Sequence, residues 1–493
     1  MGVRARTSSR LLAAAALTGA AAWFLVLGPG PSPGFIRDEA SVSYNAFTLS
    51  QNLHDQWGGF LPLYIKSFGD YKSPLFPYLL AGVFRVTGPS RHAALQTASA
   101  VVFFAILLLG LLAWRRTRSL FVVCGTVVVA ALTPWLYELG RTAYETIIEP
   151  LTFVLVLLAV DWAYRSTRPA RQRAIPVGLA LGAVTYSYAA GRLVAPLLAL
   201  CLLVFVFHDR SRRRWLYETW AVYAVTLIPI VVYSIVHTGA LNARFNSTTY
   251  VRHGMSPATI FGDFFKNYAT DANLEHWVTS GDPTPYIHVH GAAELYVATV
   301  VLAAVSVAVL ARQHRADRFW WFIGAALLLS PLPGAITGER YYSLRLLPMP
   351  LLLIVLGIPA LDLVRRRYRD WAVIALVAAL VAGTTAQFWQ WRHNYYFNFY
   401  GRAVLFEAQV PTLLTRGFAG RGVLYVNHDD VYAQTHALWY AVTHGVPRSR
   451  ISILPEGGNP PRGALEFGRY TACEPSCTLL AHADTYWLAR ENR

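Results

Sequence analysis

Long apolar stretches recur along this chain and constrain its fold more than any other feature of the sequence. The apolar runs lie at 11–27, 93–113, 119–136, 146–163, 174–189, 193–207, 218–238, 291–311, 319–336, 346–364 and 371–388. A helix needs about 20 apolar residues to cross a hydrocarbon layer of about 30 Å. Of the 493 residues, 55% are hydrophobic and 14% are charged, which is too apolar for an ordinary soluble protein. The runs predict a mainly α, polytopic membrane protein with about 11 transmembrane helices.

Arginines between the apolar runs predict the orientation. They are concentrated in every second connecting segment, at 1–10, 114–118, 161–173, 208–214, 311–318 and 365–370. Because short cytoplasmic segments are rich in Lys and Arg, this alternation predicts a cytoplasmic N-terminus in the cell membrane and an extracytoplasmic C-terminal region. The formal charge of +16 is spread over these segments. It therefore does not indicate a nucleic-acid-binding surface.

Two of the assignments have alternatives. The run at 11–27 follows three arginines, as the apolar part of a secretory signal would. However, it is followed by Gly-Pro-Gly-Pro and not by a convincing small-residue cleavage site, which favours a retained helix. The runs at 174–189 and 193–207 are short and nearly contiguous, so a re-entrant pair is the alternative to two spans. Arginine-rich segments flank this pair on both sides, which favours two spans.

The composition changes near residue 390. We therefore predict a transmembrane domain at 1–389, followed by a small extracytoplasmic α/β domain at 390–493. Residues 422–427 and 450–454 are typical of strands, and 432–443 is typical of a helix. Two cysteines in this region, Cys473 and Cys477, favour a disulfide over a zinc site, which would need further ligands.

The first outer loop, at 29–92, carries the chemistry of greatest interest. Asp38 and Glu39 follow the first apolar run, and Lys72 precedes a proline and another apolar run. A carboxylate at a membrane surface can accept a proton from a hydroxyl, and a later cation can neutralise a leaving phosphate. The simpler interpretation is a solvated acid pair and a lysine that extends to the lipid interface.

These residues carry a resemblance to a known group of enzymes. The order of a short first helix, an exposed Asp-Glu pair, an amphipathic loop and DYKSPLFPYL resembles the GT-C superfamily, in particular the protein O-mannosyltransferase and lipid A aminoarabinose transferase group. The resemblance implies that Asp38 acts at the acceptor and that Lys72 contacts a lipid-linked phosphate. Ser73 stands where the motif usually has proline, so the match at Lys72 is weaker.

Other ionisable residues lie at the predicted outer ends of spans. Arg141 and Glu145 are four residues apart in the second outer segment. Arg141 could bind the donor phosphate and Glu145 could bind substrate, or the two could pair with each other. Arg192 and Arg345 could bind the donor phosphate or extend to lipid headgroups, with Arg340 as a rival to Arg345. The resemblance favours Arg345, because an arginine near Leu-Pro lies close to the donor phosphate in such enzymes.

The long outer loop at 239–290 could cover the site. Tyr286 could stack on a sugar, and His288 and His290 could form half of a divalent-metal site, although ordinary loop histidines are the more common case. The triplet His428, Asp429 and Asp430 is better explained by a turn after a strand. No metal ligand is assigned, and a divalent cation stays an open cofactor.

The sequence and the resemblance together predict an integral-membrane glycosyltransferase. The expected donor is a hexose or pentose on a polyprenyl phosphate, since no nucleotide-sugar domain is recognisable, and the acceptor is a hydroxyl on protein, glycan or lipid at the outer face. The alternatives are a transporter or flippase of lipid-linked sugars, which needs no base, and a non-catalytic assembly subunit. Replacing Asp38 distinguishes the enzyme from the transporter.

Overall fold

The computed structural model describes residues 3–28, 30, 32–207, 209–313, 317–399, 405–470, 477–483 and 485–492. Most of these residues are helical. The helices, numbered α1 to α22 in chain order, are Val3–Ala22, Arg37–Asn52, Leu75–Thr87, Arg91–Thr117, Leu120–Leu132, Pro134–Leu139, Glu149–Arg165, Ala170–Thr185, Gly191–Cys201, Val204–Phe207, Arg213–Thr226, Ile228–Val236, Ala243–Thr248, Pro257–Asp271, Leu274–Val278, Val297–Gln313, Arg318–Leu329, Leu332–Ala335, Pro348–Arg366, Trp371–Asn394, Val410–Phe418 and Val431–Thr443.

The described part of the chain contains seven strands, which form two sheets. The strands, β1 to β7, are Ile65–Ser67, Asp70–Lys72, Leu424–Val426, Ile451–Ile453, Leu465–Arg469, Cys477–Ala483 and Tyr486–Glu491. Strands β1 and β2 form an antiparallel hairpin. The other five lie in the order β4-β3-β5-β7-β6, with β3 parallel to β4 and β5, and with β7 antiparallel to β5 and β6.

Among the residues that the structure describes, six helical segments are long and apolar enough to cross a membrane. They are Arg10–Leu27, Arg91–Thr117, Glu145–Arg165, Arg210–Val236, Pro348–Arg366 and Trp371–Phe397. Shorter apolar helices lie at Leu75–Thr87, Leu120–Leu132, Gly191–Phe207 and Val297–Arg312. The chain is therefore a multi-pass membrane protein, as predicted. Eleven spans and the orientation of the termini stay predictions.

One compact unit, the helical unit, consists of Met1–Gly30, Ala98–Arg141 and Thr146–Tyr396. Helix α19 is central to it, since α19 packs against α5, α7, α16 and α17, and most of its length is buried. Helix α8 packs between α7 and α11. Helices α8 and α11 can approach closely because Gly178 and Gly182 of α8 face Val222 and Thr226 of α11. A Cβ atom added to either glycine would lie only 2.6 Å from the facing side chain.

The second unit, the mixed unit, consists of Pro31–Thr97, Thr142–Glu145 and Phe397–Arg493. Helix α2 packs against α3 and α22, and Trp439 of α22 stacks on both Phe35 and Phe84. Helices α21 and α22 cover the five-stranded sheet around a core that includes Leu424, Phe467 and Leu488. The small sheet region near the C-terminus was predicted. The domain boundary at 390 stays a prediction, and the Cys473 half of the predicted disulfide lies outside the described residues.

Candidate active site

The start of α2 positions the two adjacent acids of the first loop. Ile36 is extended and caps the helix, and Glu39, three residues later, reaches back so that its carboxylate accepts the Ile36 N–H at 2.9 Å. The other carboxylate oxygen of Glu39 accepts the N–H of Ala143, also at 2.9 Å. Glu39 is fully buried, whereas the side chain of Asp38 is about a third exposed. Of the two acids, Asp38 is the one that is accessible from solvent.

Burial gives Glu39 an unusual protonation behaviour. The loss of hydration raises the pKa of Glu39 to about 7, although the two backbone N–H groups oppose this rise. A carboxyl group in this environment binds a proton near neutral pH. Both of its carboxylate oxygens accept backbone N–H groups of the protein, and a catalytic role for Glu39, as a residue that positions Asp38 or the acceptor, stays a prediction.

Lys72 lies on the β1–β2 hairpin and contacts Asp38. The hairpin turns at Phe68 and Gly69, both with positive φ, as a two-residue turn of this type requires. Strand β2 then carries Lys72 inward, where its ammonium donates to Asp38 Oδ1 at 2.9 Å. Only about a tenth of the Lys72 side chain is exposed. Residues 34 positions apart in sequence therefore form a direct ion pair.

Two further carboxylates complete what we call the Lys72 cluster, which consists of Asp38, Asp70, Lys72 and Glu145. The Lys72 ammonium lies 3.8 Å from Asp70 Oδ1 and 3.7 Å from Glu145 Oε1. Three carboxylates thus surround one cation. In this arrangement the positive charge of Lys72 is balanced by neighbouring acids, so a phosphate would compete with these carboxylates for the ammonium.

A second charged group fixes the start of α2 from the other side. The carboxylate of Glu407 accepts the Arg37 N–H at 2.7 Å, the Arg37 guanidinium at 3.1 Å, His436 Nε2 at 2.8 Å and the Tyr486 hydroxyl at 3.0 Å. Burial would raise the pKa of Glu407, but these donors outweigh it and lower the pKa to about 2. The residue next to Asp38 is therefore held by an ionised acid 370 positions away.

The helical unit contains a cavity of about 400 Å³ with three arginines in its wall, which we call the arginine cavity. Its lining residues are Tyr188, Ala189, Ala190, Arg192, Leu193, Ser234, Leu241, Asn242, Arg244, Phe245, Thr248, Pro333, Ile336, Thr337 and Arg345. Two of the predicted phosphate-binding residues, Arg192 and Arg345, thus share one cavity. Among the described residues that line this cavity there are three arginines and no carboxylate, although Glu339 outside the lining pairs with Arg345, so the wall carries an excess of positive charge.

The partners of Arg345 hold its guanidinium in place. Arg345 is buried, donates to Thr337 Oγ1 at 2.8 Å and forms a 2.7 Å ion pair with Glu339, whose side chain is mostly exposed. Arg192 donates to the carbonyl of Leu241 at 2.7 Å. Arg340, the rival of Arg345 in the sequence, is exposed and does not line the cavity.

The remaining predicted site residues are placed differently. Arg141 is buried and donates to Ser99 Oγ at 2.8 Å, to the Tyr137 hydroxyl at 2.7 Å and to the carbonyl of Phe24. Its guanidinium is therefore engaged by the protein itself, and it does not line the arginine cavity. Tyr286 is partly exposed and also lies outside that lining.

The structure gives His288 a role other than metal binding. His288 is fully buried, with Nδ1 2.7 Å from Glu138 Oε2 and Nε2 2.8 Å from the carbonyl of Ala292, so both ring nitrogens are engaged. Burial alone lowers the pKa of His288, but Glu138 raises it to about 9. His290 is exposed. Within the described parts of the chain, no group of three or more His, Cys, Asp or Glu side chains could hold a metal ion.

Three residues of these sites were not predicted from the sequence. Asp70 could have been found, because alternation along a strand puts Asp70 and Lys72 on one face of β2. Arg244 lies in the long outer loop without any local motif. Glu407 follows the last apolar helix, and nothing near it in sequence indicates that it contacts Arg37.

Comparisons with known proteins support the fold. No family model matches the sequence, and no curated protein does. The structure resembles that of ArnT from Cupriavidus metallidurans bound to undecaprenyl phosphate, with a TM-score of 0.58 and 14% identity over 98% of each chain. It also resembles the archaeal oligosaccharyltransferase AglB from Archaeoglobus fulgidus in complex with an inhibitory peptide and a dolichol-phosphate, with a TM-score of 0.56 and 13% identity, covering 90% of this chain and 64% of that one. The predicted resemblance to membrane glycosyltransferases of the GT-C group is confirmed, at the level of the fold.

Proposed function

We propose that the chain is an integral-membrane glycosyltransferase that moves a sugar from a polyprenyl phosphate to a hydroxyl of a protein, glycan or lipid at the outer face of the cell membrane. The observation that carries the proposal is the contact between the partly exposed Asp38 and Lys72. It pairs a proton acceptor with a cation, which are the two groups that this transfer needs. The folds of two proteins whose structures hold a polyprenyl phosphate support the choice of donor.

The proposed chemistry is a direct displacement at the anomeric carbon. The acceptor oxygen forms a bond to that carbon while the bond from the carbon to the phosphate oxygen breaks. Asp38, which lies in the first turn of α2, takes the proton of the hydroxyl as general base. Lys72 moves from Asp38 to the leaving phosphate, which receives the electron pair and the negative charge. This movement also frees the carboxylate to accept the proton.

The arginine cavity is the proposed place for the donor phosphate before transfer. Arg345, Arg192 and Arg244 offer guanidinium groups, which bind phosphate through paired hydrogen bonds. Roles for Arg141 at the phosphate and for Glu145 and Tyr286 at the substrates stay predictions from the sequence. Among these, Glu145 has the better support, because it lies 3.7 Å from Lys72.

A transporter of lipid-linked sugars would use the arginine cavity but would not need Asp38 as a base. Mass spectrometry of cell-envelope glycans and glycoproteins separates the two functions when cells make either the wild type or Asp38→Asn. A transferase loses one glycan product in Asp38→Asn and accumulates the lipid-linked sugar. Asp429→Asn, an exposed acid of the same type, is the control and should leave the product unchanged. Unchanged products in Asp38→Asn would favour the transporter.

The position of the donor phosphate is tested by comparing two arginines that lie five residues apart. Arg345→Ala should weaken donor binding and slow transfer by about tenfold or more, because a buried guanidinium is lost from the cavity wall. Arg340→Ala removes an exposed arginine and should behave like the wild type. The measurement is the binding of a polyprenyl phosphate to the purified protein. If the two changes had equal effects on this binding, the assignment of the donor phosphate to the arginine cavity would be contradicted.

A further inference from the structure

A second cavity lies in the helical unit where several apolar helices end. Its volume is about 310 Å³, and we call it the helix-end cavity. Its lining residues are Arg116, Thr117, Arg165, Val309, Asp317, Trp320, Ile358, Pro359, Asp362, Leu363, Arg366 and Arg367. Arg116, Arg165 and Arg366 lie in the last turns of α4, α7 and α19. All three helices belong to segments that are long and apolar enough to span a membrane.

This cavity is far from the proposed donor site. Arg345 lies just before α19 and Arg366 ends it, so the 19 residues of that helix separate the arginine cavity from the helix-end cavity by about 28 Å. That length is close to the thickness of the hydrocarbon layer. The helix-end cavity therefore belongs to the opposite membrane face, which the arginine pattern predicts to be cytoplasmic.

The charge of the helix-end cavity is only partly balanced by the protein. Asp161 is fully buried and pairs with Arg115 at 2.7 Å, Arg116 at 3.0 Å and Arg165 at 3.4 Å. Asp317 pairs with Arg116, and Asp362 pairs with Arg365 and Arg366. Among the described residues, the lining and its ion-pair partners comprise six guanidinium groups and three carboxylates. A clear excess of positive charge remains.

The other walls of the cavity are apolar. Val309, Ile358, Pro359, Leu363 and Trp320 stand beside the arginines. Large exposed aromatics occur nearby in sequence, including Trp321 and Trp371, as is typical of the membrane interface. A ligand that fits these walls has an anionic head and an apolar tail, and basic pockets between transmembrane helices are known to bind such lipids.

We propose that the helix-end cavity binds the phosphate group of an anionic phospholipid of the cytoplasmic leaflet. Arg366 and Arg367 are exposed enough to reach the phosphate, while the side chain of Arg116 is almost fully buried and is held by Asp161 and Asp317. The acyl chains lie along the apolar wall formed by α16 and α19, which pack against each other. The proposal does not depend on the reaction proposed above.

The test uses the purified full-length chain in detergent. Native mass spectrometry counts bound lipid during titration with phosphatidylglycerol, with zwitterionic phosphatidylcholine as a comparison, and inorganic phosphate is added as a competitor. The wild type should retain phosphatidylglycerol and not phosphatidylcholine. The double variant Arg366→Ala and Arg367→Ala should bind phosphatidylglycerol about tenfold more weakly. Arg369→Ala, an exposed arginine outside the cavity, is the matched control and should bind like the wild type.

Three results would overturn the proposal. Unchanged affinity in the double variant would show that the lipid does not bind in this cavity. An equal loss in Arg369→Ala would show that only the general surface charge attracts the lipid. Displacement of phosphatidylglycerol by an equal concentration of inorganic phosphate would identify the ligand as a soluble anion. Arg367 forms no ion pair within the part of the chain that the structure describes, so the single change Arg367→Ala replaces the double variant where that variant fails to fold, and it should give a smaller loss of about threefold.

Discussion

At the scale of single residues, the charge around Lys72 makes a specific prediction about stability. Lys72→Met keeps most of the side chain but leaves Asp38, Asp70 and Glu145 close together without their shared cation. Breaking such a largely buried ion pair costs about 3 kcal/mol. We therefore expect the thermal midpoint in detergent to fall by about 5 °C or more.

Two further variants check this explanation. Adding Asp70→Asn to Lys72→Met removes one of the repelling carboxylates and should restore part of the lost stability. Lys66→Met changes an exposed lysine on the neighbouring strand and should shift the free energy of unfolding by less than about 0.5 kcal/mol. If Lys72→Met were as stable as Lys66→Met, the carboxylates would not depend on Lys72.

Glu39 gives a prediction about pH. Burial raises the pKa of Glu39 to about 7 in the folded chain, above its ordinary value of 4.5. Between these two values the folded state holds the proton more tightly than the unfolded state, so this group lowers stability as the pH rises from about 4.5 to about 7. The full effect is about 3 kcal/mol.

Thermal unfolding at several pH values measures this effect. The side chain of Glu39→Gln cannot ionise, so the stability of this variant should fall less steeply over this pH range than that of the wild type. Because an amide oxygen is a weaker hydrogen-bond acceptor than a carboxylate, the variant should also be less stable by a constant amount at every pH. Glu456→Gln, an exposed acid, should follow the wild-type curve. Parallel curves for Glu39→Gln and the wild type would mean that Glu39 keeps an ordinary pKa.

At the scale of elements, helix α2 depends on contacts that are distant in sequence. Glu407 joins the first residue of α2 to α22 and β7 through Arg37, His436 and Tyr486. Glu407→Gln loses the charge that strengthens these four hydrogen bonds, so we expect a loss of about 2 kcal/mol in the free energy of unfolding. Because the start of α2 also carries Asp38, transfer activity should decrease while the affinity for the donor changes little. A variant that kept both its stability and its activity would show that this contact does not hold α2.

Some elements could be predicted from the sequence, and others could not. The predicted helix at 432–443 and the strands at 422–427 and 450–454 correspond to Val431–Thr443, Leu424–Val426 and Ile451–Ile453, because their apolar periodicity is local. Strands β5, β6 and β7 were not assigned. Most residues of β6 are exposed, so the strand lacks a clear alternation of apolar and polar residues. Its pairing with β7 also contains a register shift near Leu479. Local patterns do not determine such pairing.

At the scale of the whole molecule, the apolar runs predicted a multi-pass helical protein, and each run contains a helix in the structure. The grouping of the first loop with the C-terminal residues was beyond the sequence, since the ion pair between Arg37 and Glu407 joins positions 370 residues apart. In the same way, Arg192 and Arg345 were each predicted separately, but only the three-dimensional structure brings them into one cavity.

The central claim is that this protein breaks the bond between a sugar and a polyprenyl phosphate and that Asp38 assists. The most direct measurement is the release of free polyprenyl phosphate when the purified protein is mixed with membrane lipids and acceptor from its own cells. We predict release by the wild type, with a rate about 10² to 10⁴ times lower for Asp38→Asn and donor binding nearly unchanged. Asp429→Asn should match the wild type. Equal release by Asp38→Asn and the wild type, or binding of the lipid-linked sugar by the wild type without any release, would contradict this account.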